Sequence, residues 1–102
     1  MLASASPARL ETLTRAGLRP QVIVSAVDED AFTAAEVTEL VGLLARAKAE
    51  AVAAVLPEDG DVLLVACDSL LELDGRPLGK PTTPAEAIQR WQNMRGRTGH
   101  LH

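Results

Sequence analysis

The chain has 102 residues, 10 Lys and Arg against 14 Asp and Glu for a formal net charge of −4, and 47% hydrophobic but only 2% aromatic residues. That length supports one domain at most, no apolar run reaches the roughly 18 residues of a membrane span, and a single cysteine, Cys67, excludes an internal disulfide or a Cys-based zinc site and fits a reducing cytoplasm. The acidic balance argues against sequence-independent binding to duplex nucleic acid but not against a small anion held by a few cations, and no basic segment leads into an apolar one as a secretory signal would.

Taken in chain order, Met1-Leu2-Ala3 reads as the tail of a strand. Ser6-Pro7 then starts a helix, Ser as cap and Pro at the first helical position, which runs to about Ala16 with Leu10 and Leu13 inward and stops at Gly17. Gln21 to Ser25 is a short β-branched strand, and Asp28-Glu29-Asp30 an acidic loop. Thr33 to Glu36 has capping-box spacing. After it, Val37, Leu40, Val41, Leu44, Ala47, Ala51 and Val55 recur at helical period toward Leu56-Pro57.

Asp61 to Cys67 has a continuous apolar core, Val62 to Ala66, the pattern of a strand covered on both faces. Leu70 to Leu73 continues as a strand into Asp74-Gly75, a hairpin signal. Thr83-Pro84-Ala85-Glu86 is a second capping box, opening a helix through Ile88, Trp91 and Met94 to Gly96, and Gly99 to His102 begins another strand. Alternation of strands and helices gives an α/β fold class, with a mixed β-sheet and flanking helices. The elements are few for covering both faces of a sheet, which suggests part of a larger domain.

Five places could carry chemistry. Ser4-Ala5-Ser6-Pro7-Ala8-Arg9 joins a helix start, where free N–H groups favour phosphate, to a guanidinium that can fork onto phosphate oxygens; it is equally a plain cap with a solvated Arg. Asp68 in Cys67-Asp68-Ser69 follows a strand end, where a carboxylate binds Mg²⁺, orients a water or simply begins a turn. Lys80 in Leu78-Gly79-Lys80-Pro81 is a phosphate cation or a solvated turn lysine. Asp28-Glu29-Asp30 could hold a divalent cation or flank a helix N-terminus, and Lys48 could reach a ligand or lie on the wet side of its helix. Cys67 reads as a small buried hydrophobe, Trp91 and Met94 as core, and His100 and His102 as weak metal candidates.

In register, these blocks resemble the Maf family, also called septum-formation-inhibitor-like proteins: Leu2 to Pro7 with Arg9; Ser25 through Val27-Asp28-Glu29; Ala45 with Lys48-Ala49; Ala66 to Ser69; Asp74-Gly75 with Leu78 to Pro81; and Met94, Gly96 and His100. The resemblance implies a Maf/ITPase-like fold present only as its N-terminal half, a partial domain over residues 1–102. It implies a nucleoside triphosphate pyrophosphatase, a hydrolase of nucleotide metabolism that cleaves the α–β phosphoanhydride of non-canonical, pyrimidine or modified triphosphates to a monophosphate and pyrophosphate. Asp68 would be the catalytic general base or metal-bound carboxylate, Glu29 would share a Mg²⁺ or Mn²⁺ with it, and Ser6, Arg9, Lys48 and Lys80 would clamp the phosphates. Ala8 replaces an Arg common in the family at a position tied to substrate preference, and Ser69 stands where many members have Thr.

The resemblance further implies a cytoplasmic protein acting on a nucleoside triphosphate, without nucleic acid or membrane as partner; a homodimer stays open. Half a cleft would leave the isolated chain weakly active or inactive. The competing expectations are a non-catalytic nucleotide-binding or cell-division regulatory module, and an inactive truncated fragment.

Overall fold

The computed structural model describes residues 1–58 and 60–102. Helix α1 spans Pro7–Arg15, a 3₁₀ turn Glu29–Ala31, α2 Val37–Ala53, β1 Leu71–Leu73, β2 Arg76–Leu78, α3 Pro84–Met94 and β3 His100–Leu101. Local chemistry explains the ends that the sequence marks. Ser6 Oγ accepts the Arg9 amide and Pro7 occupies the first turn of α1. Asp74 and Gly75, at φ 53° and 74°, make the tight turn between β1 and β2. Leu10 and Leu13 are half-buried, so α1 is held by a partial face.

The sheet is antiparallel in the order β2-β1-β3, with Leu71 opposite both Leu78 and Leu101. Pro77 lies on the edge strand β2, where its missing N–H breaks no ladder. Gly99 is demanded by a close approach: a Cβ there would stand 3.1 Å from the Glu72 carbonyl and from Leu71. His102 continues the β3 pairing by exchanging backbone bonds with Leu70 and bonds Glu72 Oε2 through Nε2 at 2.9 Å.

A parallel pairing supplies the rest of the mixed α/β architecture. Leu2 bridges Val22 on one side and Val65 on the other. Both expected strands, Gln21–Ser25 and Asp61–Cys67, are therefore reduced to single bridges. The expectation that the second is covered on both faces fails: Val62 and Leu63 are 49% and 80% exposed. The buried apolar residues among those described are Leu2, Ala3, Val37, Leu44, Val52 and Leu73, a small core drawn from the N-terminal segment, α2 and β1. The radius of gyration, 15.8 Å, exceeds the roughly 13 Å of a compact 100-residue domain, in keeping with faces left open.

Four further expectations need correction. Helix α2 begins at Val37 with Glu36 as cap and no side-chain cap bond, so the Thr33–Glu36 box does not form. Its buried stripe is Val37, Leu44 and Val52, whereas Val55 is 70% exposed beyond the helix end. Trp91 is exposed on α3 rather than core, and Cys67 is exposed rather than buried.

Candidate active site

Three chain segments meet at the Asp68 carboxylate. Lys48 Nζ lies 2.6 Å from Asp68 Oδ1 and 2.8 Å from Glu29 Oε1, so one ammonium holds two carboxylates. Lys48 reaches them because it stands four residues from both Leu44 and Val52, on the buried stripe of α2 and not on its wet side. Glu29 is delivered by the 3₁₀ turn, whose start is fixed by Asp28 Oδ1 accepting the Asp30 amide. Burial alone would push the Lys48 ammonium down. Its hydrogen bonds to Asp68 and Glu29, with their negative charge, outweigh this and raise its pKa above the ordinary lysine value.

Asp68 is only 7% exposed in its side chain, and its second oxygen, Oδ2, is buried with no hydrogen-bond partner. An unsatisfied buried carboxylate oxygen is costly and uncommon, so this atom is an acceptor with an open position.

Arg9 ties α1 to the same strand end. Its Nη1 donates to Ser4 Oγ at 3.3 Å and to the Cys67 carbonyl at 3.1 Å, and its Nη2 to Ser69 Oγ at 3.3 Å. A guanidinium has five N–H donors, so two remain for a ligand. Ser4, 6% exposed, accepts from both Arg9 and the Ser6 amide. It is the buried hydroxyl that sequence reasoning passed over; two serines before a helix do not reveal which one is inward.

Arg9, Glu29, Lys48, Asp68, Ser69 and Lys80 all line one cleft of about 790 Å³. Leu71, Trp91, Met94 and Leu101 line its apolar part, so the exposed Trp91 faces the cleft. Ser6 and Ala8 are not on this lining: Ser6 is spent on capping α1, and Ala8 is exposed on its first turn. Among the described residues no group of three His, Cys, Asp or Glu side chains gathers to hold a metal. His100 and His102, with ring centroids 6.5 Å apart, form no such group.

The Maf-like protein family matches residues 1–102, the whole chain. The chain belongs to this family. It is 55% identical over 101 residues to a Streptomyces coelicolor protein named nucleoside triphosphate pyrophosphatase, covering 99% of this chain and 48% of that protein. It is 55% identical over 104 residues to a protein of the same name from Synechococcus, covering 99% and 56%. A third of that name, from Salinispora tropica, is 51% identical over 104 residues, covering 100% of this chain and 46% of its own. The Maf-like chain thus spans about half the length of the curated relatives it matches. The mixed α/β architecture and the half-length match are as expected, and no helix is long and apolar enough to cross a membrane among the described residues.

Proposed function

We propose that this chain supplies the phosphate-binding and water-activating side of a nucleoside triphosphate pyrophosphatase, which splits the α–β phosphoanhydride to a nucleoside monophosphate and pyrophosphate. The observation that carries the reading is the Asp68 side chain, its Oδ2 without a partner, among the residues lining a cleft shared with Arg9, Lys48 and Lys80. The names of the relatives support the same reaction class.

Asp68 acts as the general base. Lys48 pins Oδ1, and Oδ2 takes the proton of an attacking water. The spare N–H groups of Arg9 and the ammonium of Lys80 bind the phosphates and stabilise the charge that develops as the anhydride breaks. Ser6 contributes by fixing the start of the helix that carries Arg9. Lys48 offsets one of the two negative charges of Glu29 and Asp68, which reduces their repulsion of a polyanion.

Glu29 and Asp68 also fit a divalent cation such as Mg²⁺ or Mn²⁺: hard cations take one or two carboxylates together with substrate phosphates, and Lys48 holds only one oxygen of each carboxylate here. When bound, such an ion supplies Lewis-acid stabilisation of phosphoryl oxygens. We assign base preference to Ser69, whose small hydroxyl lines the cleft, and to Ala8 only through its place beside Arg9, since its methyl is off that lining.

The test is product identification by ³¹P NMR, with the complete protein and a panel of standard and modified triphosphates, in Mg²⁺ or Mn²⁺ and in chelator. Pyrophosphate and monophosphate, formed only with metal, support the reading. Orthophosphate and a diphosphate, or no turnover of any triphosphate, refute it.

A further inference from the structure

We propose that Arg90 and Glu86, one turn apart on α3, are positioning residues that hold Lys80 in the cleft; the functional meaning rests on the phosphate-clamp role proposed for Lys80. The other two cations are fastened by side chains, Lys48 by two carboxylates and Arg9 by Ser4, Ser69 and a carbonyl. Lys80 makes no ion pair among the described residues. It sits on the turn between β2 and α3, and a Cβ placed on the preceding Gly79 would meet nothing within 4 Å. Packing therefore does not fix this turn at Gly79.

Hydrogen bonds do. Arg90 Nη1 donates to the Gly79 carbonyl, and Nη2 donates to Glu86 Oε1 at 2.9 Å. The other oxygen, Glu86 Oε2, accepts the Thr82 amide at 3.0 Å and the Thr82 hydroxyl at 2.6 Å. The path Gly79–Arg90–Glu86–Thr82 thus closes a ring around Lys80 and Pro81, anchoring the backbone on both sides of the lysine. An ordinary Glu–Arg pair spaced i,i+4 would stay within its helix. Here each partner spends its second group outside the helix, and both on the Lys80 turn. Glu86 even leaves the backbone amide that a capping box would give it, that of the cap residue Thr83, for the residue before it. Arg90 and Lys80 line the same cleft as Asp68.

The experiment uses the complete protein with Arg90→Ala, Arg90→Lys, Lys80→Ala and the double variant Arg90→Ala/Lys80→Ala. Backbone ¹⁵N order parameters read the clamp directly. At Lys80 the value should fall from the rigid range near 0.85 to below about 0.6 in Arg90→Ala; an unchanged value overturns the proposal whether or not any ligand binds. Calorimetry with inorganic tripolyphosphate reads the consequence. Arg90→Ala should weaken binding about tenfold, and Arg90→Lys should restore part of it, since one donor can reach Gly79 but cannot fork. The double variant should bind no more weakly than Lys80→Ala, because Arg90 acts through Lys80. Additive losses overturn the proposal. If the unaltered protein binds no tripolyphosphate while Arg90→Ala still loosens Lys80, the clamp stands and the phosphate-site reading fails.

Discussion

Replacing Lys48 with Met removes the ammonium that joins Glu29 and Asp68 while keeping most of the buried stem. The consequences for the two carboxylates differ. Glu29, with 53% of its side chain exposed, is rehydrated at little cost. Asp68, at 7%, is left charged, with neither oxygen paired. Breaking a buried ion pair by deleting one partner costs about 3–5 kcal/mol, and the adjoining cleft admits water, so the expected loss is about 3 kcal/mol. Adding Asp68→Asn to Lys48→Met removes the stranded charge and should recover about 1–2 kcal/mol.

Urea unfolding of the complete protein measures this, as a midpoint shift at constant m-value. A loss below about 1 kcal/mol for Lys48→Met, or a double variant less stable than the single one, would refute the reasoning. The unaltered pair should also follow pH with a defined sign. Because the folded-state pKa of Lys48 is raised, its stabilisation is fully present below the ordinary lysine value near 10.4 and is lost only as pH climbs above it through the folded value.

Other outcomes follow from the same geometry. Val52→Ala, at a side chain only 1% exposed, should cost about 2 kcal/mol, and Val55→Ala, 70% exposed, less than about 0.5 kcal/mol; thermal or urea unfolding of the two variants compares them directly. Hydrogen bonds from the Thr82 hydroxyl and amide, followed by the influence of Arg90, hold the Glu86 carboxyl below its ordinary range. Its contribution to the start of α3 should be intact above about pH 4.3 and fade as pH falls through the lower folded value; chemical shifts of Thr82 and Glu86 across an acid titration report this.

What the sequence discloses and what it withholds divide along local and non-local lines. Pro7, Asp74-Gly75 and Pro84 act through their own dihedral preferences, so both helix starts and the hairpin are legible from neighbours alone. The segments around Val22 and Val65 depend on pairing with Leu2, tens of residues away, and pairing is confined to one residue each. Apolar composition does not reveal what covers a segment, and so Val62, Leu63 and Trp91 read as inside from the sequence although they are exposed. Thr33–Glu36 has the letters of a capping box, but the helix starts one residue beyond it, at Val37.

The site was more legible than its details. Arg9, Glu29, Lys48, Asp68, Ser69 and Lys80 converge on one cleft. The signal for Lys48 lay in periodicity: a lysine on the line from Leu44 to Val52 needs a buried counter-charge, and Asp68 provides it. No comparable signal pointed to Ser4, or to the exposure of Cys67, whose carbonyl rather than thiol is what the site uses.

The most direct measurement is pyrophosphate release by the complete protein and its Asp68→Asn variant, with tripolyphosphate binding measured on the same samples. Asparagine keeps the shape and still accepts from Lys48 but cannot take a proton from water, so turnover should fall at least about 100-fold, as expected when a general base is lost, while tripolyphosphate binding persists. Turnover within about threefold of the unaltered protein's, with binding preserved, would contradict the placement of water activation at Asp68.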